Sequence, residues 1–240
     1  MTTSGTSTFN LNVLDIIEEA FERNGKEVRT GYDLRTARRS LNLLFTELAN
    51  RGINLWTIEE GSIPLYSGTF IYDLPVDTVD LLDQVIRTGT GQNQTDIAIT
   101  RISGSTYSTI PNKNATGRPI QVWVHRRSGA TYPVTGAAAP QVYVWPSPDQ
   151  GTISVPYYTL VYWRLRRMND AGNGEDTQDI PFRYLNVLIA GLSYYLAMKL
   201  PDIDPGRRAE LRNDYEFQLD LANQEDREKA DARFVPRINP

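Results

Sequence analysis

Apolar residues recur every three to four positions near both ends of this 240-residue chain, and in short runs of valine, isoleucine and aromatics through its middle. In "LNVLDIIEEAFERNG", Leu11, Leu14, Ile17, Ala20 and Phe21 fall at helical spacing, with Glu18, Glu19 and Glu22 elsewhere on the wheel. Gly25 offers a C-terminal stop. "YDLRTARRSLNLLFTELANRG" repeats the logic with Leu34, Ala37, Leu41, Leu44 and Leu48, with Asp33 as candidate N-cap and Gly52 closing the helix. The short polar connection predicts an antiparallel pair.

The character changes after about residue 53. "INLWTIEEGSIPLYSGTFIYDLP" is rich in β-branched and aromatic residues and broken by Gly and Pro, which is strand chemistry. "DIAITRIS", "PIQVWVHRR", "PQVYVWPSP" and "YYTLVYWRLRR" read the same way, and "QVWV" and "QVYV" are expected to be neighbours. Residues 103–119 hold few large apolar side chains and read as a long loop. Helices then return. Asp179 is a candidate cap and Pro181 suits a first turn before "RYLNVLIAGLSYYLAMK". Asp204 and Pro205 open a last helix in which Leu211, Tyr215 and Leu219 step along one face until Ala222. The expected fold class is α+β: a helical bundle formed by the N- and C-terminal helices, residues 1–56 and 178–240, with an antiparallel β domain inserted at 57–177.

The most apolar run carries no charge from Tyr184 to Met198. As a helix it is roughly 22 Å long, short of the ~30 Å bilayer core, so no membrane span is expected. A helix apolar nearly all round is covered on several sides. Ala190, Gly191, Ser193 and Ala197 let another helix approach closely, either its own or a neighbouring subunit's.

Composition narrows the chemistry. Net charge is −4, which disfavours a tight grip on a duplex. There is no cysteine and a single histidine, His125, which removes thiolate sites, most zinc arrangements and any two-imidazole site. The opening "MTTSGTSTFN" has no secretory pattern. The carboxylate pairs Glu18-Glu19, Glu59-Glu60 and Glu175-Asp176 are adjacent and point apart, so they read as solvated surface. "TGTGQNQT" lacks the third glycine of a phosphate loop and reads as a β-turn. "HRR" at 125, "RLRR" at 164 and the group Arg35, Arg38 and Arg39 read as strand ends and a solvated or inter-subunit helix face. No catalytic, cofactor or metal set assembles. The terminal "ARFVPRINP" places Phe234, Val235 and Ile238 beyond a charged stretch with no core of its own left to reach, so it either frays or docks on a partner.

Five stretches carry a family resemblance: "GYDLRTARRSLNLLFTELANRGINLW", "FIYDLPVDTVDLLDQVIR", "ITRISGSTYSTIPNKNATGRPIQVWVHRR", "QVYVWPSPD" and "DIPFRYLNVLIAGLSYYLAMK". Together, and in this order, they resemble the head-to-tail adaptor (connector) proteins of short-tailed bacteriophages, the tail tubular protein A type. The resemblance implies a non-enzymatic virion protein at the head–tail interface, assembled in the host cytoplasm. It implies a ring of twelve copies between the portal protein and the tail nozzle protein, extending and sealing a channel through which DNA passes without sequence-specific binding. It also gives Arg233, Phe234, Val235, Arg237 and Ile238 a role in docking on the portal.

Two other readings remain open from sequence. A carbohydrate-binding or glycan-degrading tail protein would use Glu59 or Asp149, with Trp56, Trp123, Trp145 and Trp163 as stacking platforms rather than strand core. A stand-alone DNA-binding protein is opposed by the acidic charge.

Overall fold

The computed structural model describes residues 3–52, 55–89, 91–127 and 139–226. The chain divides into two compact units, one of Met1–Leu55 with Met168–Pro240 and one of Trp56–Arg167. Helices make up the first and two antiparallel-rich sheets the second, so the fold class is α+β.

In the helical unit, α1 (Val13–Arg23) starts at a capping box. The Asn12 side chain accepts the Asp15 N–H, and the Asp15 carboxylate accepts the Asn12 N–H. Its buried face is Val13, Ile16, Ile17, Ala20 and Phe21, so Leu11 precedes the helix and Leu14 is only half-buried. Helix α2 (Gly31–Arg51) begins earlier than expected. Thr30 is the cap, and Asp33 is the reciprocal acid of a second capping box. Ala37, Leu41, Leu44 and Leu48 are buried as the spacing predicts.

After a short 3-10 turn (Phe182–Tyr184), the apolar run forms an α-helix over Leu185–Ala197. Pro181 takes the cap position without a side-chain hydrogen bond, and Asp179 instead accepts the Asn169 N–H. Ten of the thirteen residues of this helix are buried, against α1, α2 and the last helix, Pro205–Glu225. Among the described residues no helix is long and apolar enough to cross a membrane. The neighbour that uses Gly191 is intrachain. A Cβ there would lie 2.9 Å from Leu44 Cδ1 and Cδ2 and 2.9 Å from Tyr215 Cε2. Above this contact, Arg51 pairs with Glu47 and Glu216 and lies over the Tyr215 ring, while the Tyr195 hydroxyl donates to Glu47. Burial, reinforced by that hydrogen bond, holds the Tyr195 hydroxyl protonated well above the usual phenol range.

The second unit is built from β1 (Ile58–Leu65), β2 (Ile71–Asp73), β3 (Thr78–Thr88), β4 (Thr95–Ala98), β5 (Thr100–Arg101), β6 (Gln121–His125), β7 (Gln141–Trp145) and β8 (Tyr158–Arg166). They form two four-stranded sheets, ordered β1-β8-β3-β4 and β2-β7-β6-β5. All pairings are antiparallel except β5 with β6. Leu81, Ile86, Leu160 and Tyr162 of one sheet share a core with Val122, Val124, Val142 and Val144 of the other. "QVWV" and "QVYV" are indeed partners, with Trp123 opposite Tyr143. "TGTGQNQT" lies in the β3–β4 hairpin connection, with Gly89 and Gly91 at positive φ. Within the expected 103–119 loop, a five-residue helix α3 (Gly104–Ser108) forms on a Ser103 cap; the helices Leu185–Ala197 and Pro205–Glu225 are therefore α4 and α5.

Candidate functional site

The groups that sequence raised for catalysis are engaged structurally. Glu59 bridges Arg164 and Arg166 on the neighbouring strand, and Arg164 reaches Asp77 as well. Burial works against both charges of the Arg164–Asp77 pair, and their hydrogen bond and charge attraction, with Glu59 adding to Arg164, together outweigh it. Asp77 titrates below, and Arg164 above, the ordinary value. Asp149 accepts the Tyr158 hydroxyl at 3.2 Å. Among the described residues no cluster of His, Asp and Glu is arranged to hold a metal ion. Of the basic patch at 125–127, Arg126 approaches Asp80, which also holds Arg101, while Arg35, Arg38 and Arg39 are exposed on α2.

The four tryptophans are half-buried rather than core. Trp123 is stacked by Tyr107 at 5.1 Å and by His125 at 5.0 Å, and it meets Tyr143 at 4.6 Å. A Cβ at Gly104 would lie 3.2 Å from the Trp123 ring, so the α3 backbone rests on it. These aromatics anchor α3 to the sheet, and their faces are occupied by one another.

Each unit also exposes apolar side chains. In the β unit the β7–β8 connection carries Ile153, Val155 and Tyr157, all exposed, the first at 81%. Its backbone is set by Gly151 at φ 97°, where an added Cβ would strike the Tyr157 nitrogen at 2.7 Å. In the helical unit a groove of about 590 Å³ runs along α1. Its apolar part includes Phe9, Leu11, Leu185 and Ile189, its acidic wall Asp15, Glu18, Glu19 and Glu22, and exposed Phe182 stands beside it. Arg23 and Arg183 are its cations, and both are committed: Arg23 to Glu19 and Asp214, Arg183 to Asp226. Glu18 and Glu22, one helical turn apart, meet no cation among the described residues. The sequence reads Glu18, with Glu19, as solvated surface and places Glu22 off the apolar face of the wheel. The signal available was their spacing, which lines Asp15, Glu18, Glu19 and Glu22 along adjacent positions of one helix. The docking candidates Arg233, Phe234, Val235, Arg237 and Ile238 lie outside the described residues.

A mixed helical and two-sheet chain whose outward features are grooves and apolar loops fits a structural component that meets other proteins, and comparison with known families names the kind. The chain belongs to the SU10 adaptor protein family, whose model matches residues 11–237, and so is a phage adaptor, a structural component of the virion. No curated protein matches it.

Proposed function

We propose that the chain is a head-to-tail adaptor that closes into a ring of twelve between the portal protein and the tail nozzle protein, extending and sealing the DNA channel. It does so by contact and not by catalysis. The carrying observation is the reach of the family match: it continues to residue 237 and so takes in Arg233, Phe234, Val235 and Arg237 beyond the end of α5. In this reading those residues and Ile238 dock on the portal, and the β unit faces the nozzle or the neighbouring copy. The net charge of −4 suits a channel along which DNA slides, as phosphate repulsion keeps the polymer from sticking. Of the arginines that might have gripped a phosphate, Arg164 and Arg166 are held by carboxylates and Arg126 approaches one.

Purified portal rings mixed with the full chain should co-sediment with it. Changing Phe234 and Val235 together to Asp should weaken binding about a hundredfold, the scale of losing two apolar anchors. Intact portals that fail to bind the full chain, or that bind both forms equally, would contradict the docking assignment.

A further inference from the structure

The groove along α1 has an unbalanced wall and an open apolar floor. Like charges one turn apart on a helix are mildly destabilising, which makes Glu18 and Glu22 a place where incoming cations are favoured. The described chain ends beside it. Asp226, its side chain only 3% exposed, is held by Arg183, a residue of the groove, and also accepts the Leu55 N–H. From there the sequence continues for fourteen residues, "REKADARFVPRINP", whose last nine carry Arg233 and Arg237, no acid, and the apolar Phe234, Val235 and Ile238. Fourteen extended residues reach about 46 Å. The α1 wall from Asp15 to Arg23 is only about 12 Å long.

We propose that this groove is the seat of the chain's own segment 227–240, held intramolecularly. Arg233 and Arg237 face Glu18 and Glu22, and the apolar side chains between and beyond them lie on Leu11 and Ile189 beside Phe182. Charge complementarity, matching apolar content and the point where the described chain ends all select the same occupant. The inference goes beyond portal docking and concerns the chain before any partner is met. If portal docking also holds, groove and portal compete for one segment, and an unassembled copy keeps its apolar end covered.

The absence of cysteine makes crosslinking clean. Full chains carrying Asn186→Cys in the groove with Asn239→Cys should form an intramolecular disulfide about tenfold faster than chains carrying Arg38→Cys on the exposed face of α2 with Asn239→Cys. Glu18→Lys with Glu22→Lys should bring the rate down to that of the Arg38 control. Adding Arg233→Glu with Arg237→Glu should restore it, which separates lost charge pairing from lost folding. Equal rates at Asn186 and Arg38, or a rate indifferent to the charge reversal, would overturn the proposal. A disulfide that appears only between chains would overturn the intramolecular seat and assign the groove to a neighbouring copy. None of these readouts involves the portal, so they stand or fall apart from the docking experiment.

Discussion

Replacing Gly191 by valine is expected to lower the melting temperature of the helical unit while leaving the tryptophan emission of the β unit unchanged. Gly191 sits inside α4 where Leu44 and Tyr215, both buried, come within 2.9 Å of the place a Cβ would take. A single added carbon crowds two buried side chains, and valine adds two more carbons. Overpacking of this kind costs ~1–3 kcal/mol, and valine belongs at the upper end. Alanine should be milder, since a better helix former returns about 1 kcal/mol. All four tryptophans lie between Trp56 and Trp163, inside the β unit, so their emission reports that unit alone. The check is a thermal melt followed by far-UV circular dichroism and by tryptophan fluorescence. A helical transition at the parent temperature would show that the close approach at Gly191 carries no weight.

The mirror experiment is Gly61→Val. Gly61 faces Tyr162 across the β1–β8 pair, and the tyrosine ring folds over the vacant position. A Cβ there would lie 2.5 Å from Cζ and 2.6 Å from Cε2 and the hydroxyl. Tyr162 is 3% exposed and belongs to the core shared by the two sheets, so any side chain at 61 displaces it. Evicting a large aromatic from such a core costs about 3–5 kcal/mol. Tryptophan emission should shift to the red at a lower temperature, with the helical transition little changed. Combining Gly61→Val with Tyr162→Ala should cost less than the sum of the two, because both changes act on one contact. Strict additivity would show that the two residues do not meet.

Much of this arrangement was legible in the chain, and the exceptions have physical reasons. Helical spacing located the apolar faces of α2, α4 and α5, since each buries one stripe or, in α4, nearly all of its surface. The β3 strand, central to its sheet, was not among the strands expected. Its buried residues Thr78, Leu81, Gln84 and Ile86 are spaced by three, three and two, because register shifts between Thr78 and Asp80 and between Leu81 and Asp83 break the alternation. Asp80 and Asp83 supply the polar groups those shifts require, each accepting the next residue's N–H. Asp33 looked like a cap because a capping box has two acid-or-hydroxyl members three residues apart, and Thr30 was the other. Helix α3 lacks a stripe of its own and is held by the Trp123–Tyr107 stack, a contact made across the fold. The same contact helps leave Trp123 half-buried under neighbouring rings instead of in the strand core. The groove was only half legible for a similar reason: the spacing of its acids shows in the sequence, but Phe9 and Phe182, far apart in sequence, come beside them only in the fold.

The proposed function requires this adaptor-family chain to work as a ring between head and tail. Direct imaging of intact particles containing it, reconstructed at the tail vertex, tests this most directly. Twelve copies of the helical and two-sheet units are expected to encircle the channel immediately below the portal, with residues 233–238 of each copy against the portal. Density for the chain elsewhere on the particle, or a ring at that level in which these residues do not touch the portal, would contradict it.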